Sequence, residues 1–199
     1  GFGVAVPAGR AQVAGATTGV VAYQGVIDGD ACSKAARFIR FCDAFAIPVV
    51  SFVDAEKFAS VREASKLSNA YSEATCPKVT VIAGSACGAV YIAMAGRGAN
   101  ADVTLAWPCA TVSPLAPATG AMFAWNDKLA GSENPVEDRK KLIEEYKNTE
   151  CTPFKAAAGG FIEDIIQPSE TRAKVIANLD MLASKRVSRL PKKHANIQL

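Results

Sequence analysis

The chain has 199 residues, 50% hydrophobic and 21% charged, with a net charge of +3. That is enough apolar residue to close a core without a metal or a disulfide, and too little basic excess for a general nucleic-acid binder. A single histidine, His194, and six cysteines with no CxxC pair (Cys32, Cys42, Cys76, Cys87, Cys109, Cys151) argue against His-based metal sites, zinc frameworks and Ser-His-Asp or Cys-His catalysis.

Charge is unevenly placed. The sixteen residues SKRVSRLPKKHANIQL (184–199) carry Lys185, Arg186, Arg189, Lys192 and Lys193 and no acid, so removing these five from +3 leaves −2 on the body. The expectation is one domain over 1–199 that ends in a basic docking or solvated arm, with no nucleic-acid partner. Free thiols fit a reducing compartment, and GFGVAVPAGR shows no basic region ahead of an apolar core, so a cytoplasmic protein without a secretory leader is expected. The run at 79–96 is long enough to raise the question of a membrane span, but its Gly, Ser and Ala content reads as protein core.

In chain order, TTGVVAYQGV (17–26) predicts a strand and GDACSKAARFIRFCDAF (29–45) an amphipathic helix. In that helix Ala35, Phe38, Ile39, Cys42 and Phe45 share a face, and Asp30 is the expected N-cap. IPVVSFVD (47–54) reads as a strand buried on both faces, ASVREASKLSNAYSEAT (59–75) as a second helix, and KVTVIAG (78–84) as another buried strand that turns directly into a helix at Gly88. DVTLAWPCATVSPL (102–115) is strand-like and broken by prolines. Helical patterns follow at 132–149 and 151–160, then a short segment at 161–168. A last helix over 169–186 opens with Ser169, which lacks a glutamate three residues on, while Glu170 suits the helix N-terminus. Alternating strands and helices predict an α/β fold with parallel pairing.

The stretch GSACGAV (84–90) holds the candidate chemistry. Neither Cys87 nor Ser85 has a base nearby to serve it as a nucleophile. Gly96-Arg97-Gly98-Ala99-Asn100-Ala101 imitates a dinucleotide fingerprint but follows a helix instead of a strand. What stays open is a choice between tight packing of small residues and a turn whose unpaired N–H groups converge on one point at a helix start.

Five segments carry a resemblance: KAARFIRFCDAFAIPVVSFVD (34–54), YSEATCPKVTVIAGSACGAVYIAM (71–94), ADVTLAWP (101–108), PFKAAAGGFIEDIIQPSETRAKVIANLDML (153–182) and KRVSRLPKKHANIQL (185–199). Together they resemble the C-terminal half of the carboxyltransferase β subunits of biotin-dependent acyl-CoA carboxylases and decarboxylases. The resemblance implies a crotonase-like ββα spiral, and a backbone oxyanion hole at Gly88, Ala89 and Val90 in place of acid–base side chains. It also implies substrate-binding positions at Ile92, Tyr91 and Cys87, with Ile92 standing where the family sets acyl preference and often has Asp. Biotin would arrive on another protein or domain, since no Met-Lys-Met signature is present, and acyl-CoA would be the substrate. The implied partners are a CoA-binding carboxyltransferase N-half and a biotin carrier protein, within a homo- or hetero-oligomer that does not insert into a membrane.

Three departures stand beside the resemblance. The glycine-rich loop that follows Val53-Asp54 in the family is absent, Gly-Gly-Ala has become Gly88-Ala89-Val90, and a later turn reads SPLAPATGA (113–121). Two readings follow: one half of a split carboxyltransferase, or the same fold kept as an assembly subunit.

Overall fold

The computed structural model describes residues 2–97, 100–129 and 134–188. One seven-stranded sheet runs in the order β1-β2-β3-β4-β5-β7, with β6 pairing the far end of β4. All neighbours are parallel except β1 (Ala8–Val13) and β2 (Ala16–Ile27), an antiparallel hairpin whose turn residues Ala14 and Gly15 both have positive φ. Sequence periodicity alone missed β1, because its residues are exposed and polar–apolar contrast is weak at an edge strand.

Helix α1 (Gly29–Ala44) packs against one face of the sheet. Its N-cap is Asp28 and not Asp30: the Asp28 carboxylate accepts the Ala31 N–H at 2.8 Å. An N-cap side chain accepts from an N–H two or three residues on, here that of Ala31, which leaves Asp30 in the first turn, where a negative charge still suits the helix dipole. The expected inward face holds for Ala35, Ile39 and Cys42, while Phe45 is 66% exposed at the helix end, against Phe41.

Strand β3 (Val49–Phe58) continues four residues beyond Asp54 and reaches α2 (Val61–Glu73) through residues 59–60 alone. No glycine-rich loop intervenes. Strand β4 (Lys78–Cys87) is longer than its apolar run and leads into the six-residue α3 (Ala89–Met94). Next come β5 (Val103–Ala106) and β6 (Thr111–Ser113), which the two prolines of WPCATVSP separate and end.

Helix α4 (Pro117–Trp125) occupies a segment expected to be a turn; Pro117 at its first position is the signal for it. It packs against α5 (Pro135–Glu150), where Tyr146 meets Gly120 and stacks edge-on with Trp125 at 5.1 Å. Then follow α6 (Pro153–Ala158), β7 (Asp164–Ile165) and α7 (Thr171–Leu182). The expected capping role of Ser169 is not found: a 3-10 turn over Pro168–Glu170 leads into α7 and is capped by Gln167 and Glu170, whose carboxylate accepts the Gln167 N–H at 2.9 Å, while α7 itself begins after Glu170 without a side-chain cap.

The sheet thus has two covered faces. Val21, Val49, Val53 and Ile82 meet α1, α2 and α3 on one side. Val50, Val79, Val81, Val103 and Leu105 meet Val175, Leu179 and Leu182 of α7 on the other. Burial on both sides accounts for the continuous apolar runs of β3 and β4.

Candidate active site

Strand β4 changes neighbours along its length. Val79 to Ile82 pair with β5, whereas Ser85, Ala86 and Cys87 pair with Thr111, Val112 and Ser113 of β6. At the switch, the Asp54 carboxylate reaches across from β3 and accepts the Ser85 N–H at 2.9 Å. A Cβ on Gly84 would lie 2.1 Å from that carboxylate oxygen, so Gly84 is there to admit Asp54.

Gly88 has a different task. Its φ of 55° and ψ of −123° belong to a region essentially reserved for glycine. Its N–H donates to Ser113 O at 2.9 Å, and its carbonyl accepts from Ile92 N at 3.1 Å, which starts α3. The N–H groups of Ala89, Val90 and Tyr91 lie in the first turn, where the helix contains no carbonyl for them. The Ala89 side chain is exposed and Val90 is buried.

Beside this turn lies a cavity of about 310 Å³ whose walls include Gly88, Tyr91, Ile92, Val112, Pro114 and Phe161. Three of the expected residues, Gly88, Tyr91 and Ile92, therefore meet there. Ile92 is 64% exposed and Phe161 58%, so the wall they form is apolar and open. At the rim Lys155 pairs with Glu150 at 3.2 Å. Tyr91 spends its hydroxyl on Phe161 O at 2.5 Å, and burial raises its pKa, so it acts as a strut and not as an acid. Arg97 donates to Gly160 O at 2.8 Å and pairs with Glu163 at 2.6 Å, holding the same Gly160-Phe161 turn.

Cys87 does not reach the cavity. It is 6% exposed, with Ser85 Oγ and Thr111 O each 3.9 Å from its sulfur, and burial holds its thiol above the usual range. Without a base or a positive field, neither Cys87 nor Ser85 is activated. Val90 packs into the core below, and Ala89 stands outside the cavity lining. Among the described residues, no group of His, Cys, Asp and Glu is arranged to hold a metal, and no helix is long and apolar enough to cross a membrane.

Sequence reasoning did not find Phe161, Ser113 or Asp54. Ser113 arrives because β6 lies beside the second half of β4, Asp54 reaches across from β3, and Phe161 comes from the segment between α6 and β7; no local pattern marks them. Of the basic arm, Lys185 is docked, with Nζ 2.8 Å from Asp102 and 3.1 Å from Cys76 O. Arg189, Lys192, Lys193 and His194 lie outside the described residues, as do Gly98 and Ala99 of the fingerprint-like stretch.

The family model of the carboxyl transferase domain matches residues 1–197. The carboxyltransferase subunit of propionyl-CoA carboxylase from Haloferax mediterranei is 41% identical over 212 residues, an alignment that takes in 100% of this chain and 41% of the relative. The human mitochondrial propionyl-CoA carboxylase beta chain is 42% identical over 205 residues, covering 96% of this chain and 36% of the relative. A crystal structure of the transcarboxylase 12S subunit, with methylmalonyl-coenzyme A and methylmalonic acid bound, superposes with a TM-score of 0.89 at 37% identity, covering 98% of this chain and 40% of that one. The chain therefore spans about two fifths of the length of these relatives. Its α/β fold is the crotonase-like spiral of the acyl-CoA carboxylase β subunits, and the chain belongs to the carboxyl transferase family.

Proposed function

We propose that this chain supplies the C-terminal half of a carboxyl-transfer site that moves a carboxyl group between biotin and an acyl-CoA. The observation that carries the reading is the Gly88 turn, where a glycine-only conformation delivers the start of α3 to the wall of a largely apolar cavity whose charged residues, Glu150 and Lys155, are paired with each other. Family membership selects this chemistry from those the turn can serve.

The residues present fit a biotin ring. The walls at Ile92, Val112 and Phe161 suit its apolar flank, and the first-turn N–H groups of Ala89 and Val90 suit a carbonyl oxygen. Biotin supplies a urea nitrogen that carries the carboxyl group. The chain's part is to stabilise the negative charge that develops on an oxygen as the carboxyl group leaves or arrives. Each well-placed donor of this kind is worth about 3–4 kcal/mol. Small side chains at Gly88 and Ala89 permit the close approach this needs.

In this reading Ile92 and Tyr91 face the acyl or biotin side of the pocket, and Cys87 supports the turn from below. The partners are a CoA-binding carboxyltransferase half and a biotin carrier protein, in a homo- or hetero-oligomer. Six free cysteines, five of them buried, support a reducing compartment such as the cytoplasm.

The test is to co-purify this chain with a CoA-binding carboxyltransferase half and measure biotin-dependent decarboxylation of methylmalonyl-CoA. Turnover that needs both chains is the expected result. An assembled, folded complex with no turnover would overturn the catalytic reading and leave the fold as an assembly subunit.

A further inference from the structure

Helix α3 is too short to hold itself in place. It spans Ala89–Met94, so only its last residues can close bonds inside the helix, and its outer side presents Tyr91 and Ile92 to the cavity. Its last four carbonyls, from Ile92 to Ala95, would be orphaned in the core. Each one is met by a side chain from elsewhere in the chain. Asn100 Nδ2 donates to Ile92 O at 2.8 Å and to Ala93 O at 2.7 Å. Thr80 Oγ1 of β4 donates to Met94 O at 2.7 Å, and Thr104 Oγ1 of β5 donates to Ala95 O at 2.9 Å.

All three donors are buried: Asn100 is 3% exposed, Thr80 1% and Thr104 0%. Buried hydroxyl and amide groups cost stability unless satisfied, and valine or leucine would fill such positions in an ordinary sheet core. The neighbours of Thr80 and Thr104 along the strands are Val79, Val81, Val103 and Leu105. Polar residues at these two inward positions are thus directed at one object, the C-terminal end of α3.

We propose that Thr80, Asn100 and Thr104 are positioning residues for carboxyl transfer. They fix the depth and rotation of α3 from its far end, while the bond from Gly88 N–H to Ser113 O fixes its near end. Loss of one donor lets the helix shift by a fraction of a hydrogen-bond length, and that displaces the Gly88 turn and the Ile92 wall together. Misplacement of a site by about 1 Å costs about a hundredfold in rate. Partial loosening of the kind a single lost hydroxyl allows lies below that bound. This inference rests on the proposed carboxyl transfer at the same turn.

The test uses the complex of both chains with methylmalonyl-CoA. Thr80→Val removes the hydroxyl without changing side-chain shape, Thr80→Ser keeps the hydroxyl, and Asn100→Asp removes the amide donors. Thr80→Val is expected to lower kcat about tenfold with KM for the acyl-CoA within twofold of wild type, Asn100→Asp is expected to lower it further, and Thr80→Ser is expected to restore it. A purely structural role predicts a lower Tm with unchanged kcat well below that Tm, and this outcome overturns the proposal. Where Thr80→Val does not assemble, amide exchange in the wild-type complex decides. The proposal requires the bonded amides at the far end of α3, Ile92 to Ala95, to exchange as slowly as those of β4, and faster exchange overturns it. A wild-type complex without turnover refutes the carboxyltransferase reading itself, whereas active wild type with unaffected variants refutes only the positioning role.

Discussion

Two cavities lie at opposite ends of the same parallel strands, and the larger has the weaker claim to chemistry. At the amino ends of β2, β3 and β4 a cavity of about 610 Å³ is lined by residues such as Thr18, Pro48, Pro77, Asp43 and Lys185. Two of its charged groups, Asp43 and Lys185, are already committed to neighbours. One Asp43 oxygen accepts from Thr75 N, Thr75 Oγ1 and Cys76 N at 2.6, 3.1 and 2.9 Å, and Lys185 joins Asp102 to Cys76 O. At the carboxyl ends, the cavity of about 310 Å³ adjoins a helix start whose N–H groups have no acceptor within the helix. Open parallel sheets bind ligands at the carboxyl ends of their strands, where helix starts and loops converge. Volume measures room, while uncommitted donors measure what a site can do.

The sharpest way to break this contrast is to delete a donor on one side and a structural bond on the other. Ala89→Pro removes one N–H at the first helical position, which proline tolerates. It is expected to lower turnover of the reconstituted complex by about 100- to 1,000-fold with assembly intact, as measured by steady-state decarboxylation. Asp43→Ala at the other end leaves three donors without their acceptor and is expected to cost about 3 kcal/mol by denaturant titration, with turnover unchanged. If both variants affect turnover equally, the two ends are not functionally distinct.

A smaller effect is expected at Gly88. A Cβ there would meet Pro114 O at 3.4 Å, an ordinary contact, so the penalty of Gly88→Ala comes from its φ of 55° and not from crowding. A stability loss of about 2 kcal/mol is expected, read as a lower denaturant midpoint.

Much of this was legible in the sequence, for physical reasons that differ by element. The continuous apolar runs of β3 and β4 and the helical period of α1 report burial directly, so those elements were readable to within a few residues. The small residues at 84–88 announced a constrained turn, but two glycines there answer to different neighbours. Gly84 makes room for a carboxylate from β3, and Gly88 adopts a backbone shape no other residue holds easily. The cause at Gly84 is not local, since Asp54 lies thirty-one residues from Ser85 in the chain. The clamp on α3 was illegible for the same reason: Thr80, Asn100 and Thr104 look like tolerated polar residues until the sheet order brings them to one helix end. Ile92 and Phe161 meet at the cavity across sixty-nine residues, and only the fold records it.

The thiols sharpen the comparison with the least perturbation. Burial pushes Cys32 and Cys76 up to about 12 and Cys42 up to about 11 from an ordinary value of 9.0. A thiol whose pKa is raised on folding holds its proton more tightly in the native state. The stability this contributes is complete below about pH 9 and is lost as pH rises from there toward 12. At pH 8 an alkylating reagent is expected to modify Cys109, the exposed thiol, ahead of Cys32, Cys42, Cys76, Cys87 and Cys151, as read by mass spectrometry of intact and digested protein. Equal labelling of Cys87 would contradict the burial that denies it a nucleophilic role.

The claim that ligand meets backbone at the Gly88 turn is tested most directly by amide hydrogen exchange of the assembled complex, with and without a saturating biotinylated carrier. The account predicts slowed exchange in peptides covering residues 85–94, with no change in peptides covering 43–48 and 75–78. Protection at the Asp43 end with none at the Gly88 turn would contradict it.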